Sequence, residues 1–232
     1  MPAKDIVVYN MEKKFERIKK IVEKKLSCSA HKMDHIMRVY NLCLRLARGE
    51  KVDLDVLKSA ALLHDIARAK EDGDSSGKTD HALLGAKMSA SILKKLEFSS
   101  DKIKHIKHCI LTHRYRAGRR PETKEAKIFF DADKLDSLGA IGIARAFVWV
   151  GKNKANIYKM FDKAYIKDNL NGNANGRIKD KTKHSPQIEF ETKLKFLEDK
   201  LYTKKAKKIG KERMKYLKNF MRRLEKEIKG EL

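Results

Sequence analysis

Apolar residues recur at three- and four-residue intervals along nearly the whole chain, with lysines and acids between them. Phe15, Ile18, Ile21, Val22 and Leu26 predict a helix over 11–26. Ile36, Val39, Leu42, Cys43 and Leu46 predict a second over 31–48, which Gly49 ends. Asp53 can cap a third, and the apolar run from Ala60 to Leu63 suits a helix covered on all sides. Residues 71–80 contain two glycines, two serines and three aspartates, and predict a loop. Helices follow at about 80–97, 101–113, 122–136 and 138–151. The asparagine- and glycine-rich stretch within 169–185 predicts a long mobile loop. Two last helices are expected at about 187–203 and 204–229, the latter with Leu217, Phe220, Met221, Leu224 and Ile228 on one stripe. Prolines stand only at positions 2, 121 and 186, and no alternating strand pattern or internal repeat is evident. The fold class is all-α, in one domain over 1–232.

Composition narrows the setting. Hydrophobic residues make up 41% of the 232, enough for a sizeable core. No run of about 18 apolar residues exists to span a membrane. Met1 to Asn10 lack the apolar core and cleavage site of a secretory signal. Cys28, Cys43 and Cys109 have no disulfide or zinc spacing, and a cytoplasmic protein is expected. The 55 basic residues outnumber 31 acids for a net charge of +24, a surplus that attracts polyanions. Residues 193–229 alone carry 15 basic and 5 acidic side chains. A heat-adapted surface is the alternative, since Gln187 is the only glutamine.

Candidate chemistry lies in the middle of the chain. His64-Asp65 closes the apolar run, where both groups are costly to desolvate without partners. A hydrogen-bonded core histidine beside a capping aspartate would satisfy that demand, but near a helix end both side chains can also reach one ion. His31 and His35 are i,i+4 neighbours, which is also a metal-ligand spacing. Asp131, Asp133 and Asp136 crowd into six residues after Ile128-Phe129-Phe130. Such acids repel one another unless a cation offsets them, or they form an acidic helix start. Imidazole with carboxylate suits Mn²⁺, Fe²⁺, Co²⁺, Ni²⁺ or Zn²⁺. His105 and His108 read as polar-face histidines and His184 as loop surface. There is no phosphate-binding GxxxxGK[ST] loop, GxSxG elbow or dinucleotide GxGxxG, and Gly139 and Gly142 suit close helix packing.

The order His35 … His64-Asp65 … Asp133 resembles the H…HD…D signature of the HD-domain metal-dependent phosphohydrolases. Leu62-Leu63-His64-Asp65-Ile66, His81 with Gly85, His113-Arg114 and the DADKLDSLGAIGIAR block from Asp131 to Arg145 are similar to its compact bacterial and archaeal branch. The likeness runs from about residue 25 to 227, through Lys193-Leu194, Tyr202-Thr203 and Lys211-Glu212-Arg213. One departure is Lys32, where the family often has an aspartate after the first histidine.

The resemblance implies an HD-type helical bundle with a metal-site core over about 25–150 and a basic C-terminal helical hairpin over about 187–229. It implies one divalent ion (Mn²⁺, Ni²⁺, Co²⁺, Mg²⁺ or Fe²⁺) held by His35, His64, Asp65 and Asp133. Asp131 and Asp136 become supporting or capping groups. His81 and His113 would hold a second ion, bind phosphate or act as acid, and with Asp65 they form the catalytic set. Arg38, Arg68, Arg114 and Lys134 are candidate phosphate-binding groups. The implied reaction is phosphate hydrolysis by hydroxide formed on the metal. Its substrate would be a phosphorylated small molecule, foremost a nucleotide, and its activity possible pyrophosphohydrolysis of a nucleoside triphosphate. The alternative is a nucleic-acid-binding protein or nuclease using the basic C-terminal helices. A signalling-nucleotide phosphodiesterase fits less well, because the Gly-Tyr-Pro extension of that branch is absent.

Overall fold

A computed structural model describes residues 3–26, 33–114, 118–170 and 178–232, with side chains from residue 10 onward. The described residues are helical, without strands. They divide into two compact units, residues 1–133 and 134–232.

In the first unit, α1 (Ala3–Lys25), α2 (Met33–Ala47) and α6 (Ser100–Thr112) all pack on α3 (Leu54–Leu63). This explains the all-round apolar run: Leu57, Ala60, Ala61, Leu62 and Leu63 are fully buried. The Asp53 side chain accepts from the amides of Asp55 and Val56, capping α3 as its sequence predicts. α5 (His81–Lys95) packs along α6, with Gly85 at the backbone of His64. A Cβ at Gly85 would lie 3.2 Å from the His64 carbonyl oxygen. α7 (Lys124–Leu135) carries Phe129, Asp131 and Asp133 inward.

Residues 71–80 are not wholly loop. A short helix, α4 (Arg68–Gly73), leaves Glu71 buried, and irregular chain begins at Asp74. The expected boundary fell early because Glu71 is held by long-range polar partners, which leave no apolar periodicity. The expected pair of His31 with His35 cannot be placed, since His31 and Lys32 lie outside the described residues.

Asp80 caps α5 through the amides of Ala82 and Leu83, and its carboxylate also meets Arg114 and Arg119. Burial works against ionisation, but the Leu83 amide and the two guanidinium groups outweigh it and lower its pKa from 3.8 to about 2. A lowered folded-state pKa stabilises the fold above about pH 4, and that contribution is lost as pH falls through 2. Asn also caps helices, so Asp80→Asn isolates the charge. The variant is expected to be less stable than wild type at pH 6 and equal to it near pH 2. Urea denaturation at both pH values checks this, and a constant difference would assign the effect to shape instead.

In the second unit, α8 (Gly139–Asn153) packs against α10 (Pro186–Thr192) and α11 (Lys204–Ile228). Gly139 has φ +71°, and its missing Cβ admits the Arg213 side chain, whose Nη1 donates to the Leu135 carbonyl at 2.7 Å. At Gly142 a Cβ would lie 2.3 Å from the Ser137 carbonyl oxygen. Both glycines therefore permit close approach. Gly142→Ala is expected to destabilise the protein by about 1–3 kcal/mol, since backbone rather than a flexible side chain must move. Thermal denaturation tests it, and an unchanged midpoint would refute the close approach.

A helix not anticipated in the sequence, α9 (Lys163–Asn169), precedes the expected loop. Residues 171–177 of that loop lie outside the described residues, and Lys181–Lys183 form a 3-10 turn. The helix expected over 187–203 is broken. α10 stops at Thr192, Lys193 adopts φ −142°, and 3-10 turns at Leu194–Phe196 and Glu198–Lys200 follow. Leu194, Leu197 and Leu201 are still buried at spacings a helix shares, which is why periodicity predicts a continuous one.

His184 is not loop surface. It is 4% exposed, bonds the Tyr165 hydroxyl through Nδ1 at 2.8 Å and lies 3.3 Å from a Glu189 oxygen through Nε2. The ring of Trp149 stands edge-on to it at 5.2 Å. A small core of Tyr165, Leu170 and Ile188 lies alongside.

Candidate metal centre

Helix ends in the first unit bring the predicted side chains together. His35 lies in the first turn of α2 and His64 at the end of α3, where the chain tightens through Ile66 N–Leu63 O and Arg68 N–Asp65 O bonds. That tightening turns adjacent His64 and Asp65 toward one centre. His81 opens α5, His113 closes α6 and Asp133 projects from α7. Phe129 forms an apolar wall, its ring 5.4 Å from that of His64 and 5.9 Å from that of His113.

Two ligand-like sets result. His35, His64 and Asp133 can each offer an atom within 4.8 Å of the others, and so can Asp65, His81 and His113. The Nε2 atoms of His35 and His64 are 3.2 Å apart. The Asp133 Oδ1 lies 3.6 Å from the former and 4.0 Å from the latter. Asp65 links the sets: its Oδ2 is 3.7 and 3.6 Å from His35 and His64, and its Oδ1 is 3.5 Å from His81. All six side chains are buried or nearly so.

Hydrogen bonding sets the tautomers. A carbonyl only accepts, so His64 donates from Nδ1 to Ala61 O at 2.8 Å and His113 from Nδ1 to Ile110 O at 2.6 Å. His81 likewise gives Nδ1–H to Glu71 Oε2 at 2.7 Å. Each neutral ring then presents an Nε2 lone pair inward. His81 and His113 Nε2 face each other at 3.2 Å, so two lone pairs converge beside the Asp65 carboxylate. A divalent cation, or a shared proton, is what such a donor set accommodates. The residues therefore fit a metal.

Glu71 is the residue that sequence reasoning missed. Besides His81 it meets Arg68 Nη1 at 3.1 Å and Arg114 Nη1 at 3.0 Å. Burial opposes its ionisation, yet the His81 hydrogen bond, the charge that His81 carries when protonated and the charges of Arg68 and Arg114 lower its pKa from 4.5 to about 2. The available signal was spacing: Arg68 and Glu71 lie four and seven residues after His64, one face of a continued helix.

The phosphate-binding candidates are dispersed in their partners. Arg68 and Arg114 stand beside His81, held by Glu71, with Asp72 also on Arg68 and Asp80 on Arg114. Arg38 pairs with Asp34 on its own helix at 2.8 Å. Lys134 directly follows Asp133 on α7 and is buried. Asp131 is fully buried, and Asp136 binds Arg145 at 2.7 Å. His105 bonds Thr123 and approaches Glu125, a structural pairing.

Residues 33–138 match the HD domain family. The chain is 29% identical over 209 residues to the uncharacterized protein YpgQ of Bacillus subtilis, covering 87% of this chain and 86% of that one. The crystal structure of YpgQ in complex with ADP aligns with a TM-score of 0.69 at 25% identity, over 94% of this chain and 96% of that one. A predicted HD superfamily hydrolase from an uncultured Thermotogales bacterium aligns over 91% of each chain, with a TM-score of 0.60 and 25% identity. Ribonuclease Y of Lawsonia intracellularis is 30% identical over 131 residues, which are 56% of this chain and 23% of that one.

Proposed function

Given that this chain belongs to the HD-domain superfamily and is a metal-dependent hydrolase, we propose that it cleaves a phosphoester or phosphoanhydride bond of a nucleotide. The observation that carries this reading is the convergence of inward Nε2 atoms on Asp65 and Asp133. The substrate class is supported by the ADP bound to YpgQ, which this chain resembles over nearly its full length.

His35, His64, Asp65 and Asp133 would hold a divalent cation, with Asp65, His81 and His113 as a second ligand set. Such a cation, when bound, polarises a phosphoryl oxygen and makes water acidic enough to attack near neutral pH. The protein's own groups do the rest. Asp65 faces both sets and can accept a proton from the attacking water. Where His81 or His113 is not a ligand, its Nε2 can carry a proton to the departing oxygen. Glu71 keeps the His81 ring turned so that Nε2 faces inward. Arg68 and Arg114 bind the phosphate beside His81, exchanging part of their pairing with Glu71, Asp72 and Asp80 for phosphoryl oxygens. Phe129 keeps one side of the centre dry, which strengthens each of these charges.

Purified protein screened against nucleoside mono-, di- and triphosphates with Mn²⁺, Mg²⁺, Co²⁺ and Ni²⁺ tests the proposal. Phosphate or pyrophosphate release that stops on chelation is expected. Turnover indifferent to chelator, or restricted to polynucleotide chains, would refute it.

A further inference from the structure

We propose that α11 is a docking ridge for the phosphate backbone of duplex nucleic acid, built from residues that take no part in the proposed metal centre. Lys204, Lys208, Lys211, Lys215, Lys218, Arg222 and Lys226 are all exposed and follow one another at spacings of four, three, four, three, four and four residues. At 3.6 residues per turn they lie within about 40° of a single line along the helix, which extends roughly 33 Å. Ala206, Gly210, Met214, Leu217 and Met221 occupy a different face, centred about 120° from that line, and are buried.

Two features separate this ridge from an ordinary solvated surface. In the same unit Lys193 pairs with Glu189, Lys195 with Glu191 and Lys229 with Glu225, each four residues away. Among the described residues, none of the six ridge lysines has a carboxylate within ion-pair distance, and Arg222 donates only to Asn219. The acids of α11, Glu212, Glu225 and Glu227, stand off the line, the last two taken by Lys229 and Arg223. Secondly, like charges three and four residues apart destabilise a helix, so lining them up is unfavourable unless a polyanion offsets the repulsion. Neighbouring ridge charges are about 4.5–6 Å apart along the axis, inside the Debye length of about 8 Å, so they act as one field.

The length and chemistry select the partner. The ridge matches roughly one turn of duplex, about 34 Å, and holds only Lys and Arg, which bind phosphates without reading bases. A membrane surface is less well matched, because the apolar face of α11 is buried and cannot enter lipid.

Fluorescence anisotropy of the full chain with a labelled 20-base-pair DNA duplex of random sequence tests the ridge. With about six phosphates engaged, log K should fall with log[salt] at a slope near −5, about a thousandfold between 50 and 200 mM KCl. Replacing Lys208, Lys211, Lys215 and Lys218 with glutamine should reduce that slope by about three to four. Replacing Lys20, Lys24, Lys25 and Lys51, which are equally exposed and remove the same charge, should leave it nearly unchanged. The four ridge lysines changed to arginine should retain it, and circular dichroism confirms that each variant is folded. No binding at 50 mM KCl, equal losses in ridge and control variants, or binding to phosphatidylserine vesicles but not duplex would each overturn the proposal.

Discussion

Asp133→Ala is expected to reduce divalent-metal affinity and kcat/KM by at least about 100-fold, because the substitution would remove a proposed ligand rather than a group supporting one. Asp133 is the carboxylate that completes the His35–His64 set, and its Oδ1 is 3.6 Å from His35 Nε2. The variant should nevertheless fold. It removes one of three buried carboxyl groups, with Asp65 and Asp131 remaining, and fewer mutually repelling acids are expected to leave the metal-free protein folded. Thermal denaturation with and without Mn²⁺ separates the two effects. A metal at 100 times its Kd stabilises the native state by about 2.7 kcal/mol, so the wild-type midpoint rises on adding the ion. The variant's midpoint should stay where it was. An equal rise in both proteins would remove Asp133 from the site.

Glu71 carries the second large expectation. Glu71→Ala leaves His81 Nδ1–H and two guanidinium groups without their shared acceptor, and a loss of about 10- to 100-fold in activity or metal affinity is expected. Glu71→Gln keeps an oxygen for His81 while discarding the charge, so it should recover much of what alanine loses. Mn²⁺ binding isotherms for both variants, beside kcat and KM, distinguish ring positioning from bulk electrostatics. If glutamine and alanine behave alike, the charge matters and the His81 hydrogen bond does not. If neither differs from wild type, Glu71 is only an ion-pair neighbour.

These contrasts show which features could be read from the residues. α2, α3, α5 and α6 follow from apolar spacing and capping groups, because each buries one face or all of itself. The His64-Asp65 pair was conspicuous because charge terminated an apolar run, and a helix end does turn both toward one centre. Glu71 left no such mark. Its burial depends on His81 ten residues later and on Arg114, contacts that exist only after α4, α5 and α6 have assembled. His184 is the same case, a histidine in a polar stretch buried by Tyr165 and Glu189 from neighbouring segments. The break at Lys193 escaped because 3-10 turns bury leucines at nearly the helical interval.

The edge-on stacking of Trp149 against His184 has an optical consequence. Trp149 is the sole tryptophan of the chain, and it belongs to the 134–232 unit. Excitation of the indole near 295 nm, about where tyrosine no longer absorbs, therefore follows the packing around His184 alone, while ellipticity near 222 nm, roughly the helical minimum, sums over every helix of both units. The two signals divide the molecule without any label: superimposable denaturation curves would mean that the units unfold together, and separate curves would time the loss of each.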